Sequence, residues 1–346
     1  MYTGISRAKQ SHGGIHMQSN KSPLQSHNSL HAKPEPSNGE SPHPKNTLND
    51  LGGDRFLYFT KSVLSTSYPS VYSHELRKKH GANKPPQLMA LLIEFFTKTG
   101  MSVLDPFAGV GGTLIGASIA TPGPRQCIGI EINQQWTDIY SRVLQENPDL
   151  LPQTMIQGDC IEIMDQLLAN ENVLSMDGRE VRMEKKDFLF DFIIMDPPYN
   201  IHLEQTMSGN GGKSYTEKYA NRRTDYNMRS NHERDLANLA TYEGYLDAMS
   251  EVFNRCYRLL RPGRYMAIIV RNAYQQGEYM FTHVDLARRA ASEGFISKGE
   301  IIWYQAGTKL RPYGYPYSYV PNITHQNIVI LQRPLLSKTK KSKTSL

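Results

Sequence analysis

Cysteine is scarce: 346 residues carry three, Cys127, Cys160 and Cys256, each in or beside an apolar segment. Three scattered thiols exclude a disulfide framework and a zinc-binding cysteine cluster, and they place the chain in a reducing, cytoplasmic setting. Long apolar runs are missing too, so no membrane-spanning helix and no secretory signal are expected. Internal repeats are absent. An excess of acid is also lacking: 39 Lys and Arg against 33 Asp and Glu leave a net charge of +6. That balance favours a polyanionic partner without identifying one.

What remains is enough for one α/β domain with tails. Residues 1–50 are rich in Ser, His, Pro, Asn, Gly and Lys without apolar periodicity, and read as a disordered tail. Their histidines, His12, His16, His27, His31 and His43, are irregularly spaced without cysteine companions, so no metal is expected. Residues 51–335 form the expected domain, and 336–346, with Lys338, Lys340, Lys341 and Lys343, a basic solvated tail.

Within the domain, the apolar run Phe188 to Met195 ends in Asp196-Pro197-Pro198-Tyr199. An acid, two prolines and an aromatic ring at a strand end can form a rigid slot for a flat ring bearing an amino group. An exocyclic amine of adenine or cytosine is a poor nucleophile because its lone pair is delocalised. Two acceptors facing its N–H groups, the Asp196 carboxylate and a carbonyl of the Pro197-Pro198 step, would favour a pyramidal nitrogen. Proline suits the second role through its fixed φ and missing N–H, and Tyr199 would stack on a base taken out of its duplex. Asp-Pro and Pro-Pro also punctuate ordinary turns, so the tetrapeptide alone leaves both readings open.

Upstream, Met101 to Asp105 reads as a short buried strand, Pro106 to Thr113 as a glycine turn and Leu114 to Ala120 as a helix. Glycine lets the backbone approach a ligand, and a helix N-terminus favours a carboxylate. Cys127 to Glu131 is a second strand ending in an acid at the spacing where nucleotide folds place a ribose-binding carboxylate. A dinucleotide site would explain these features equally, but it needs neither the Asp-Pro-Phe opening nor the later tetrapeptide.

Taken together, these segments resemble the S-adenosylmethionine-dependent DNA amino-methyltransferases, the adenine-N6 and cytosine-N4 enzymes with an Asp-Pro-Pro-Tyr motif. The blocks that carry the resemblance are His80 to Pro86 with the helix-like Gln87 to Phe96, Asp105 to Thr113, Gly129 to Asn133, Gly158-Asp159-Cys160 and Asp196 to Tyr199. It spans roughly Arg55 to Arg333, and ordered blocks are far more specific than any one of them. It implies a Rossmann-like seven-stranded, mostly parallel sheet with an antiparallel terminal strand and helices on both faces. It also implies S-adenosyl-L-methionine as cofactor, held by Lys84, Pro85, Asp105, Phe107, Ala108, Gly109, Gly111, Glu131, Asn133, Asp159 and Cys160. Catalysis would fall to Asp196, Pro197, Pro198 and Tyr199. Here the cofactor half precedes the catalytic half, the reverse of many relatives with the Lys-Pro segment.

An aspartate opening the tetrapeptide favours adenine N6. The alternatives are cytosine N4, an RNA amine, and a non-catalytic nucleic-acid-binding relative; a protein-amide enzyme would typically begin the motif with Asn. The partner expected is DNA, with RNA second, for a monomer or homodimer, and the resemblance allows a cognate restriction endonuclease. Residues 200–241 form a polar insertion in which Lys213, Arg222, Arg223 and Arg229 could contact phosphates and Tyr215 and Tyr226 could stack on bases. A flexible solvated loop is the plainer alternative. Beyond it the periodicity predicts a helix over 242–260 ended by Arg261-Pro262-Gly263, a strand over 264–270, a helix over 282–293 and strands at 301–304 and 327–331, the last pair antiparallel. Arg311 to Tyr319 reads either as a stacking surface or as a Pro-fixed aromatic turn. No separate target-recognition domain is visible.

Overall fold

The computed structural model describes residues 41–181, 190–198, 230, 232–275, 278–305 and 320–335. In chain order the elements are α1 (Gly53–Phe59), β1 (Val63–Thr66), α2 (His74–Arg77), α3 (Pro86–Phe96), β2 (Ser102–Asp105), α4 (Gly112–Ile119), β3 (Gln126–Glu131), α5 (Gln134–Glu146), β4 (Thr154–Gln157) and α6 (Cys160–Leu168). They continue with β5 (Val173–Leu174), β6 (Glu180–Val181), β7 (Phe190–Met195), α7 (Tyr242–Leu259), β8 (Leu260–Val270), β9 (Ala273–Gln275), β10 (Glu278–Met280), α8 (Thr282–Ser292), β11 (Ile296–Gln305) and β12 (His325–Gln332).

The strand boundaries follow from side-chain alternation. Along β2, Val103 packs into one core and Leu104 into the other, and along β7 Phe192 and Ile194 face away from Ile193 and Met195. A strand apolar on both sides must be covered on both sides. Helices α3, α4 and α5 cover one face, with Phe96 stacked on Phe192 at 4.9 Å. Helices α6, α7 and α8 cover the other through Met164, Phe253 and Leu286. Leu104 is fully buried at the centre, so Leu104→Ala is expected to cost about 2–5 kcal/mol, read as a lower urea midpoint at unchanged m-value.

Among the described residues, eight strands form the main sheet, in the order β1-β11-β12-β8-β7-β2-β3-β4. The sequence predicts seven. The extra strand is β1, a four-residue edge segment pairing parallel to β11, too short to show a period and exposed at Val63. Strand β12 is antiparallel to both β11 and β8, as expected of the last pair. Strand β8 begins at Leu260 rather than 264, because Arg261-Pro262-Gly263 runs on extended; Gly263, at φ +81°, donates its N–H to Arg333 O at 2.7 Å.

The folded body also begins before residue 51. Asn49 is buried and donates to Phe95 O at 2.6 Å, and Asp50 accepts from Thr99 N at 2.7 Å, so residues 46–51 seal the end of α3. A short polar segment carries no apolar period to reveal such a contact. Among the described residues no helix is long and apolar enough to cross a membrane.

Candidate active site

The strand order reverses at β2. Strands β3 and β4 lie on one side of it, while β7 crosses to the other, and β2, β3, β4 and β7 are parallel. Ligands in open α/β sheets bind beyond the carboxyl ends of strands at such a reversal. Three of the acids singled out in the sequence stand there: Asp105 ends β2, Glu131 ends β3 and Asp196 follows β7. Asp159 follows β4 after Gly158 along the same edge.

The turn after β2 is stitched to β3. Ala108 N donates to Ile130 O at 2.8 Å and Gly109 N to Glu131 Oε2 at 2.8 Å, while Asn133 N donates to Glu131 Oε1 at 2.8 Å. The Glu131 carboxylate therefore spans the turn and the loop beyond β3. Burial pushes it up to about 7 against the pull of those two amides. Asp105 accepts from Phe107 N at 2.9 Å and from the Thr113 hydroxyl, and burial likewise raises it to about 7. The turn closes at Gly111, which caps α4 without a side chain at φ +78°. Gly129 in β3 lets the turn seat: a Cβ there would lie 2.7 Å from Ala108 Cβ and 2.5 Å from Leu114 Cδ1.

Two residues expected on the cofactor have structural duties first. Asn133 caps α5 by accepting from Gln135 N at 3.0 Å, and Asp159 caps α6 by accepting from Glu162 N at 2.9 Å. The Cys160 thiol is buried and held well above its ordinary range, so any role there falls to its backbone. Phe107 lies partly buried against the core beside α6.

Lys84, expected on the cofactor, makes contacts of its own. Its carbonyl abuts Gly112, where a Cβ would lie 3.1 Å from it, but its ammonium reaches across to the Asp196 carboxylate. Pro85 caps α3 and Pro86 opens it, which fixes the main chain on which the lysine rides. Pro197 is buried and Pro198 half-buried behind Asp196.

His80, which opens the upstream block, completes the wall with two aromatic residues that the motifs do not single out. His80 packs beside Gly109 and meets Trp136 edge-on at 4.9 Å, and Tyr140 fills the space over Gly111. Burial, then the charge of Lys84, lowers His80 to about 4, so it is a neutral ring at physiological pH. The i, i+4 spacing of Trp136 and Tyr140 on α5 marks a buried stripe, but only the fold shows what that stripe covers. After the insertion the chain returns through Ser230, and Asp235 accepts from Ser230 N and Ala237 N close enough to Glu131 to push its carboxyl further up. Tyr199, Lys213, Tyr215, Arg222, Arg223, Tyr226, Arg229 and the 311–319 segment lie outside the described residues. Among those described, no cluster of His, Cys, Asp and Glu could hold a metal ion.

Comparison with known proteins gives the following. A family model of the N6/N4 type, described as DNA methylase, matches residues 13–142 and 190–345. The type II methyltransferase M.HinfI of Haemophilus influenzae is 29% identical over 135 residues, a match covering 33% of this chain and 37% of that protein. The chain thus spans little more than a third of that relative. Among solved structures, TrmN from Thermus thermophilus is similar at TM-score 0.44 and 14% identity, over 78% of this chain and 54% of that one. A methyltransferase from Pyrococcus furiosus is similar at TM-score 0.38 and 12% identity, over 82% and 98%.

Proposed function

The chain belongs to the N6/N4 DNA methylase family, and from that membership we propose that it transfers a methyl group from S-adenosylmethionine to the N6 amine of adenine in DNA. The observation that carries the proposal is the placement of Asp196 and its proline pair beside the glycine turn across the sheet reversal. One binding cleft can then serve both a methyl donor and an amine acceptor.

The residues at the edge fit the donor. Gly111 leaves the first-turn amides of α4 uncapped by a side chain, a setting that favours the carboxylate of a methionine moiety. Glu131, already holding two amides, is placed to accept from ribose hydroxyls. When bound, S-adenosylmethionine supplies an electrophilic methyl on a sulfonium. Asp196 accepts one N–H of the amine and the Pro197 carbonyl the other, which returns the lone pair to nitrogen. With the cofactor bound, the amine would gain the methyl as the sulfonium becomes a neutral thioether, and the Asp196 carboxylate would offset the positive charge on nitrogen until the amine proton is lost to solvent. Holding the two reactants in line contributes the rest of the acceleration.

Aspartate rather than serine at the head of the tetrapeptide favours adenine over cytosine. The test is incubation of the full chain with labelled cofactor and panels of DNA and RNA, followed by nucleoside mass spectrometry. N6-methyldeoxyadenosine is expected. N4-methyldeoxycytidine would overturn the base assignment, and label confined to RNA the polymer.

The raised carboxyl of Glu131 makes cofactor binding pH-dependent. Hydroxyl donors stabilise its ionised form, so binding releases a proton wherever free Glu131 is protonated. Affinity is therefore expected to rise with pH up to about 7 and then level, falling on the acid side by up to about tenfold per pH unit. Calorimetry across pH 5.5 to 8 checks this, and Glu131→Gln should flatten the curve.

A further inference from the structure

We propose that Lys84 is a positioning residue for methyl transfer, holding the Asp196 carboxylate ionised and turned toward the amine. This inference rests on the methyl-transfer reading above.

The two side chains are 112 residues apart in sequence and nearly dry where they meet, 5% exposed for Lys84 and 15% for Asp196. In such surroundings an ion pair is far stronger than on the surface, and either charge alone would be costly. The lysine is braced on both sides. Its ammonium also donates to Ala82 O at 3.2 Å, its carbonyl rests against Gly112 at the start of α4, and two prolines follow it. The main chain that carries the lysine is thus packed on the cofactor turn while its head group grips the acid across the reversal. One rigid link sets the distance between donor side and acceptor side.

Two other described groups sense the Asp196 charge. From the end of β2, the Asp105 carboxyl interacts unfavourably with its charge. From α7, the buried Tyr245 hydroxyl has no hydrogen-bond partner and senses the same charge. Without Lys84, an acid beside another acid would lose the positive charge that offsets their repulsion and would tend to hold its proton. A protonated carboxyl turns a donor toward the amine and offers no negative charge to the transition state. Lys84 keeps the acceptor an acceptor. Its hydrogen bond to Oδ2 fixes how the carboxylate is turned.

The test uses the full chain with Lys84→Met, Lys84→Arg, Asp196→Asn and the double variant K84M/D196N. In single-turnover assays at saturating DNA and cofactor, Lys84→Met should lose about 10²-fold in rate at pH 7. The acid limb of its pH–rate profile should move upward, because the adjacent positive charge is gone. Lys84→Arg should keep the limb in place, and cofactor affinity should stay near that of the parent in both. An unmoved limb with weakened cofactor binding would overturn the proposal and make Lys84 a wall of the cofactor site. A thermal-unfolding cycle reads the pair without any substrate. Each single variant should lower the midpoint and the double should lower it by less than their sum; additivity would overturn the coupling. If the parent protein methylates no nucleic acid at any pH, the proposed function fails, while the cycle still decides whether Lys84 holds Asp196.

Discussion

Replacing Asp196 with asparagine is expected to reduce methyl transfer by about 10²–10³-fold while leaving cofactor affinity within a small factor of the parent. Asparagine keeps the shape and one acceptor oxygen but carries no charge, and its amide N–H groups would face either the substrate amine or the Lys84 ammonium. The loss therefore falls on the step in which nitrogen becomes positive, not on binding. A cost in stability accompanies it, since Lys84 is left in a nearly dry site without its counter-charge. Breaking a fully buried pair costs about 3–5 kcal/mol, and the residual exposure of Asp196 places the expected loss toward the lower end. Single-turnover rates, calorimetry with the cofactor and urea unfolding separate the three effects. A variant that kept near-parental turnover would remove Asp196 from the chemistry.

The second large effect is at the glycine turn. Gly111 holds φ +78°, and a Cβ on it would sit 2.2 Å from Tyr140 Cδ2 and 2.8 Å from Cε2. The ring cannot swing away freely, because it is buried in the core and its hydroxyl accepts from Gln153 N at 3.2 Å. Gly111→Ala therefore combines left-handed backbone strain of about 1–2 kcal/mol with overpacking of about 1–3 kcal/mol. Gly100 provides the control: its φ is +76° but nothing lies within 4 Å of the added carbon, so Gly100→Ala should show the strain of about 1–2 kcal/mol alone. Cofactor binding should be lost from Gly111→Ala, whose turn must open, and kept by Gly100→Ala. Equal unfolding midpoints for the two variants would show that Tyr140 does not brace the turn.

Several parts of this arrangement were legible because their causes are local. Strands β2, β3 and β7 stand out as short apolar runs that stop at an acid or just before one, since a parallel strand is covered on both faces and ends where the chain returns to solvent. Helix α3 was legible as the apolar stretch after Pro85-Pro86, and α7 from its helical apolar spacing, while the caps Asp159 and Thr241 were not read as such. Strand β1 escaped because its four residues owe their conformation to hydrogen bonds with β11, some 240 residues away. The sheet continuation through Arg261-Pro262-Gly263 escaped because its partner, Arg333, lies beyond β9, β10, α8, β11 and β12. Trp136 and Tyr140 read as ordinary buried aromatic residues until the turn they cover is in place.

The division at the site itself is of the same kind. Glycines at 109 and 111, an acid ending β3 and an acid with two prolines after β7 lie within a few residues of their strands, so the sequence by itself determined which groups stand at the strand ends. Lys84 was legible as part of the cofactor segment and no more. That its ammonium lies on Asp196 depends on β7 crossing to the far side of β2, a choice made by the burial of two cores and not by any residue near either partner. Only the tertiary structure decided it, because a contact spanning 112 residues is set by strand order, and strand order is a property of the whole sheet.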